Sequence, residues 1–276
     1  MTKELSRELN DKYQKLKADL KSKGKLIIAF SGGVDSALLA KIAFDELGSS
    51  AIAVLLNSET VPQFELSEAE RVAGEIGIAF EIIQVDQLSD ERFCKNDTDR
   101  CYYCRKHMAK HLMEYAGVNN IDTIIAGAQA TDLDDHRPGI KAFTEEGIWH
   151  PFIDLGFSKN DIRQLARHLG LVVSEKPAMA CLSSRIPYNQ KITRPSLAMV
   201  AAAEDLLRDL GFTQYRARTH GKLLRIEIYP KEFDILIENR NKIIEEMKRI
   251  GYDYITLDLV GFRSGSMNEV INNKEE

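Results

Sequence analysis

The chain has 276 residues, 44% of them hydrophobic and 29% charged, with a formal net charge of -5. A chain of this length can bury about three-quarters of its unfolded surface, so it needs neither a disulfide nor a metal simply to fold. The acidic balance argues against a dedicated nucleic-acid binder, whose phosphate contacts need a basic surface.

The polar opening segment, residues 1–25, has no apolar core and does not read as a signal peptide. No apolar run reaches membrane-spanning length. The expectation is a cytoplasmic protein without a membrane partner, its thiols reduced, which disfavours a disulfide between Cys101 and Cys104.

Leu5, Leu9, Tyr13 and Leu16 fall at helical spacing, and that helix ends near Gly24. LIIAF (26–30) is a buried-strand run, followed by a helix over 35–47 that stops at Gly48. Strands are expected at 52–57, 79–85 and 123–128, with a helix over 65–77 and a helix carrying Cys101 and Cys104. Strands alternating with helices predict a parallel sheet covered by helices on its faces. After a helix over 159–171, the stretch 174–195 is irregular and punctuated by Pro177, Pro187 and Pro195. A helix, a hairpin, a second helix and a strand complete the chain. The fold class is α/β, with a parallel-sheet domain over 1–194 and a smaller α+β domain over 195–276.

SGGVDS sets Ser31, Gly32, Gly33, Asp35 and Ser36 between a buried strand and a helix. Glycines let the backbone approach a ligand closely. A helix N-terminus presents unpaired N–H groups and a partial positive charge, which suit an anion. The spacing is not that of the common P-loop, which needs four residues between its glycines and a following Lys-Ser/Thr pair. It matches instead the PP-loop of the ATP pyrophosphatase superfamily. That resemblance covers the first four strands and implies ATP as cofactor, cleaved between its α- and β-phosphates. Asp35 is then a helix-capping carboxylate or a contact for Mg2+.

Asp99 is an N-cap candidate, placing Cys101 and Cys104 in the first turn of a helix, on one face at i and i+3. The positive helix end favours the thiolate. Cys181 stands in the irregular stretch. Three thiolates fit a zinc site completed by His107 or His136, a three-cysteine iron–sulfur cluster with an open iron, or a reactive thiol. Cys94 is a further ligand candidate or a small buried residue.

SGGVDS, HPFIDL (150–155), CLSSRIPY (181–188), RPGIKA (137–142), YRAR (215–218) and LDLVGFRSGSMN (257–268) together resemble the LarE family across nearly the whole chain. The resemblance implies an ATP-dependent sulfurtransferase that converts the carboxylates of pyridinium-3,5-biscarboxylic acid mononucleotide to thiocarboxylates. The product leads to the nickel-pincer cofactor of lactate racemase. It further implies a [4Fe-4S] cluster on Cys101, Cys104 and Cys181, with these residues catalytic, and a homo-oligomer. Ser58 is implied at the adenosine. Arg216 and Arg218, alternate residues of one strand face, suit the substrate phosphate, as do Arg263 and Arg185. Glu204 reads as a solvated helix residue, or as a buried charge paired with an arginine of the hairpin. Asp132, Asp135 and Arg137 lie in a turn-rich loop, and His107 and His111 read as solvated. The alternatives are a tRNA-thiolating enzyme, a sacrificial-cysteine transferase using Cys181, an amidating ligase, and a non-catalytic sensor. The acidic charge and the absence of an aromatic-interleaved basic stripe oppose the first.

Overall fold

The computed structural model describes residues 5–134, 138–177 and 180–263. Asp135, His136 and Arg137, and the SGSMN portion of the C-terminal motif, lie outside the described residues. The chain divides into two compact units: Met1–Asp90 with Asp99–Met179, and Glu91–Thr98 with Ala180–Glu276.

The first unit runs α1 (Arg7–Lys23), β1 (Leu26–Ala29), α2 (Val34–Leu47), β2 (Ala51–Asn57), α3 (Gln63–Ile76) and β3 (Ala79–Gln84). The short α4 (Glu91–Cys94) belongs to the second unit. The first unit resumes with α5 (Arg100–Val118), β4 (Thr123–Ala126), α6 (Pro138–Glu145), α7 (Pro151–Asp154) and α8 (Lys159–His168). Among the described residues its sheet is parallel, in the order β3-β2-β1-β4, with Leu26 opposite both Ala51 and Thr123.

Side chains of a strand alternate between faces, and the two faces here bury different helices. Leu26, Ile28, Ala53 and Leu55 pack in one core with Leu16 and Leu20 of α1, Leu38 of α2, Val72 of α3 and Ile162 of α8. Ile27, Val54, Leu56 and Ile124 pack in the other with Ala109, Leu112 and Ala116 of α5 and Phe143 of α6. Burial on both sides explains why the sequence shows continuous apolar runs rather than alternation. The strand order reverses at β1: the chain steps outward through β2 and β3, then returns to β4 on the other side. Ligands of open parallel sheets bind at the carboxyl ends of strands at such a reversal.

The second unit continues with α9 (Arg194–Asp209), β5 (Tyr215–His220), β6 (Leu223–Ile228), α10 (Phe233–Glu238), α11 (Arg240–Ile250) and β7 (Tyr254–Leu257). β5 and β6 form the expected hairpin, with Tyr215 opposite Ile228, and β7 adds parallel to β6. Leu207, Ala217, Leu224, Ile226, Ile243 and Met247 fill its core.

The proline-punctuated stretch before Pro195 packs with this second unit from Ala180 onward. Asn96 supplies the physical reason. It is fully buried with a φ of 59°, and its amide donates toward the carbonyls of Pro187 (2.8 Å) and Gln190 (2.9 Å). The Asn189 and Ile192 amides donate in turn to the carbonyls of Asn96 and Cys94, both at 2.8 Å. Helix α6 was not expected. Pro138 is a ready first residue for a helix, but the turn-forming residues before it obscure that signal. No helix among the described residues is long and apolar enough to cross a membrane.

Candidate active site

β1 delivers the chain directly into the SGGVDS turn, and α2 carries it away. Gly33 is the N-cap of α2 and its carbonyl accepts from Ala37 N–H at 2.9 Å. Ser36 Oγ accepts from the Ser31 backbone N–H at 3.2 Å and lies 3.2 Å from Ser31 Oγ. The loop is therefore braced from inside, leaving the α2 N-terminus open to an anion. Gly32 has a φ of +68°, and a Cβ there would lie 2.7 Å from Cα of Ala69 on α3. A Cβ on Gly127, just past β4, would lie 3.0 Å from the Asp35 carbonyl carbon and Ser36 N, so the ends of β1 and β4 meet at the loop.

Gly32→Ala adds about 1–2 kcal/mol of backbone strain to that clash. It is expected to lower ATP-dependent pyrophosphate release about 100-fold through misplacement of the loop, measured by a coupled pyrophosphate assay beside circular dichroism.

Asp35 neither caps the helix nor stands alone. Both its carboxylate oxygens accept from Lys159 Nζ at 2.7 Å. Lys159 opens α8, whose start is fixed by a capping box between Ser158 and Asp161. Sequence reasoning missed Lys159, 124 positions from its partner; the capping pattern in SKND marked the helix start but not the direction of the lysine. Ser58 is buried at the end of β2 with its hydroxyl 2.9 Å from Thr60 Oγ1. Asp132 is also buried, its oxygens accepting from Gln129 N–H (3.2 Å) and the Gln129 amide (2.8 Å).

Asp99 occupies the N-cap position of α5, and its carbonyl accepts from Tyr102 N–H at 2.9 Å. Cys101 is exposed and Cys104 half-buried, one helical turn apart, and neither is in a disulfide. The Cys104 thiol lies 3.7 Å from the Gln87 side-chain carbonyl oxygen. Cys94 is buried. Among the described residues, no three His, Cys, Asp or Glu side chains come together as a metal site.

In the second unit, exposed Cys181 precedes a short turn, Leu182–Arg185, with its sulfur 2.9 Å from Ser183 Oγ. Arg185 is fully buried and holds that turn from below. Its Nε and Nη2 donate to Glu204 at 2.7 and 2.8 Å, and its Nη1 donates to the carbonyls of Ala180 (2.8 Å) and Cys181 (3.2 Å). Glu204, only 2% exposed, also accepts from Ala217 N–H at 3.0 Å. Glu204 is thus not a solvated helix residue, and its guanidinium partner comes from the Cys181 turn rather than from the hairpin. Helix α9 turns this side chain inward over β5, where only a charge partner makes burial tolerable.

Arg218 donates to Glu227 through Nε and Nη2, both at 3.0 Å, and to the Ser184 carbonyl at 2.7 Å. Arg216, also buried, feels the charges of both pairs, with its guanidinium carbon 4.9 Å from the Phe262 ring centroid and Nη1 donating to the Tyr215 carbonyl. Burial, and then the nearby Arg185, push Arg216 down to about 10. Arg263 is half-buried at the edge of the described residues. The structure thus gathers Ser31, Gly32, Gly33, Asp35 and Ser36 at one loop, and Cys181, Arg185, Arg216 and Arg218 within the other unit.

The NAD synthase family model matches residues 3–130, the span that holds the phosphate loop and the parallel sheet. The pyridinium-3,5-bisthiocarboxylic acid mononucleotide synthase of Lactiplantibacillus plantarum is 37% identical over 264 residues, covering 95% of this chain and 96% of that protein. Uncharacterized proteins of Synechocystis sp. and Methanocaldococcus jannaschii are 37% and 30% identical, with 99% and 98% of their lengths covered. Likeness of this extent takes in both units, not the phosphate loop alone: the chain belongs to the LarE family and is an ATP-dependent sulfurtransferase of the PP-loop class.

Proposed function

We propose that the chain adenylates the carboxylates of pyridinium-3,5-biscarboxylic acid mononucleotide and converts them to thiocarboxylates, a step toward the nickel-pincer cofactor of lactate racemase. One observation carries the reading: end-to-end likeness to a thiocarboxylate synthase in a chain with three accessible or half-accessible cysteines outside any disulfide.

A carboxylate oxygen attacks the α-phosphorus of ATP, the bond to the α–β bridging oxygen breaks, and pyrophosphate leaves with the electron pair. Sulfide then attacks the activated carbonyl carbon, and AMP departs carrying the former carboxylate oxygen. Ser31, Gly32, Gly33 and Ser36 hold the departing pyrophosphate through the α2 N-terminus. Lys159 can pass from Asp35 to a phosphate oxygen, and Asp35 is the carboxylate that would then hold Mg2+. Ser58 closes the strand end at the adenosine. Lys159→Met is expected to lower pyrophosphate release about 100-fold with little effect on folding, read in the same pyrophosphate assay.

Cys101, Cys104 and Cys181 are soft donors of the kind a [4Fe-4S] cluster needs, and they would hold it through three of its irons. When bound, that group supplies the sulfide. Cys181 is kept in place by Arg185, which acts as a positioning residue for its turn rather than as a ligand of the substrate. Arg216, and Arg263 beside Phe262, take the substrate phosphate, while Arg218 aligns them from its pair with Glu227. Residues 195–276 then serve as substrate-binding and oligomer-forming domain; exposed Ile235, Ile237, Ile244 and Tyr254 support contacts between copies.

A buried cation with few partners opposes folding. The lowered Arg216 pKa means this penalty is complete below pH about 10 and is relieved only as pH rises further. Arg216→Met is therefore expected to stabilise the chain by about 1–2 kcal/mol in denaturant unfolding. It should also weaken mononucleotide binding at least about tenfold. The experiment that tests the reading is pyrophosphate release from ATP under anaerobic conditions, which must depend on the mononucleotide. Release stimulated by tRNA instead would overturn it.

A further inference from the structure

Two histidines of α5 have no part in the chemistry above. His107 and His111 are four residues apart on one helix face, and their Nε2 atoms lie 3.2 Å from each other, with ring centroids 5.0 Å apart. The helix is anchored beneath them by Ala109 and Leu112, so the pair is carried on a rigid element. His107 Nδ1 is buried without a hydrogen-bond partner among the described residues. His111 Nδ1 faces Glu114 Oε2 at 3.6 Å.

We propose that His107 and His111 chelate one borderline divalent ion, with Zn2+ as its model, at a site separate from the cysteines. Imidazole nitrogens bind zinc at about 2.0–2.1 Å, so two of them on a tetrahedral ion stand about 3.3 Å apart. The observed separation meets that without rearranging the helix. Glu114 Oε2 lies 3.6 Å from the far ring nitrogen of His111, near enough to swing into the hydrogen bond by which a carboxylate supports a ligating imidazole. Among the described residues no third His, Cys, Asp or Glu completes the set, so water takes the remaining positions.

Asp86 and Asp90 act on His107 from the segment after β3, while His111 and Lys110 act from its own helix. Burial first, and then His111, lower the His107 pKa. Without metal, the same contact is a hydrogen bond in which one ring donates and the other accepts.

The test is calorimetric Zn2+ titration of the full-length chain with Cys101, Cys104 and Cys181 replaced by serine, alongside NMR of the histidine ring nitrogens. One equivalent should bind, shifting the His107 and His111 resonances together. His111→Ala should weaken binding at least about tenfold with unchanged thermal unfolding, and His107→Gln should do the same. Unshifted rings at equimolar Zn2+, or an affinity in either histidine variant unchanged from that of the parent chain, would overturn the site. The result is independent of sulfur transfer, because the titrated chain lacks the three thiols.

Discussion

Cys181→Ser is expected to abolish thiocarboxylate formation, by about 1,000-fold or more, while leaving the folded chain as stable as before. The side chain is exposed, so exchanging sulfur for oxygen removes little packing. ATP should still bind, because the phosphate loop is formed by residues 31–36 and makes no use of this thiol. Substrate-dependent pyrophosphate release should therefore survive in part, uncoupled from sulfur incorporation. Cys101→Ser should behave similarly for product formation, and it separates a cluster from a lone sacrificial thiol: the sacrificial route needs Cys181 alone. Product analysis by mass spectrometry, with pyrophosphate measured in the same sample, checks both variants.

Arg185→Ala should destabilise the second unit by about 3–5 kcal/mol in denaturant unfolding. The loss is large because Glu204, 2% exposed, would lose both guanidinium hydrogen bonds and retain the Ala217 amide as a donor. Removing both charges together, as Arg185→Met with Glu204→Leu, should cost far less, since two apolar groups leave no unpaired ion. Stability and activity should then part company. The double variant folds, but the carbonyls of Ala180 and Cys181 lose their shared donor and the thiol loses its fixed position. Recovered stability with continued loss of product would identify Arg185 as a positioning residue. Full activity in the double variant would leave it a purely structural one.

These contrasts show what the sequence makes legible. SGGVDS could be read because everything it needs is local: a buried strand before it, a helix after it, and glycines where the backbone must turn. The sheet was equally readable, since runs such as LIIAF buried on both faces carry no polar positions to confuse their type. Helix α6 was not, because its starting proline follows residues that signal a turn. The charged pairs were least legible. Asp35 meets Lys159, and Glu204 meets Arg185, across separations that no local pattern encodes. Arg216 and Arg218 share a strand face as alternation requires. Yet one is buried with few partners and the other is held by Glu227, a distinction made by packing alone. His107 and His111 read as solvated because helical spacing places two rings together without specifying their rotamers.

In the proposed reaction the carboxylate is activated as an adenylate before sulfur replaces oxygen. The most direct measurement supplies mononucleotide labelled with heavy oxygen in its carboxylates, together with ATP and a sulfide source, and follows the label by mass spectrometry. Labelled AMP, unlabelled pyrophosphate and one sulfur gained for each label lost are the expected outcome. Label appearing in pyrophosphate, or a sulfur-containing product formed without any labelled AMP, would contradict it.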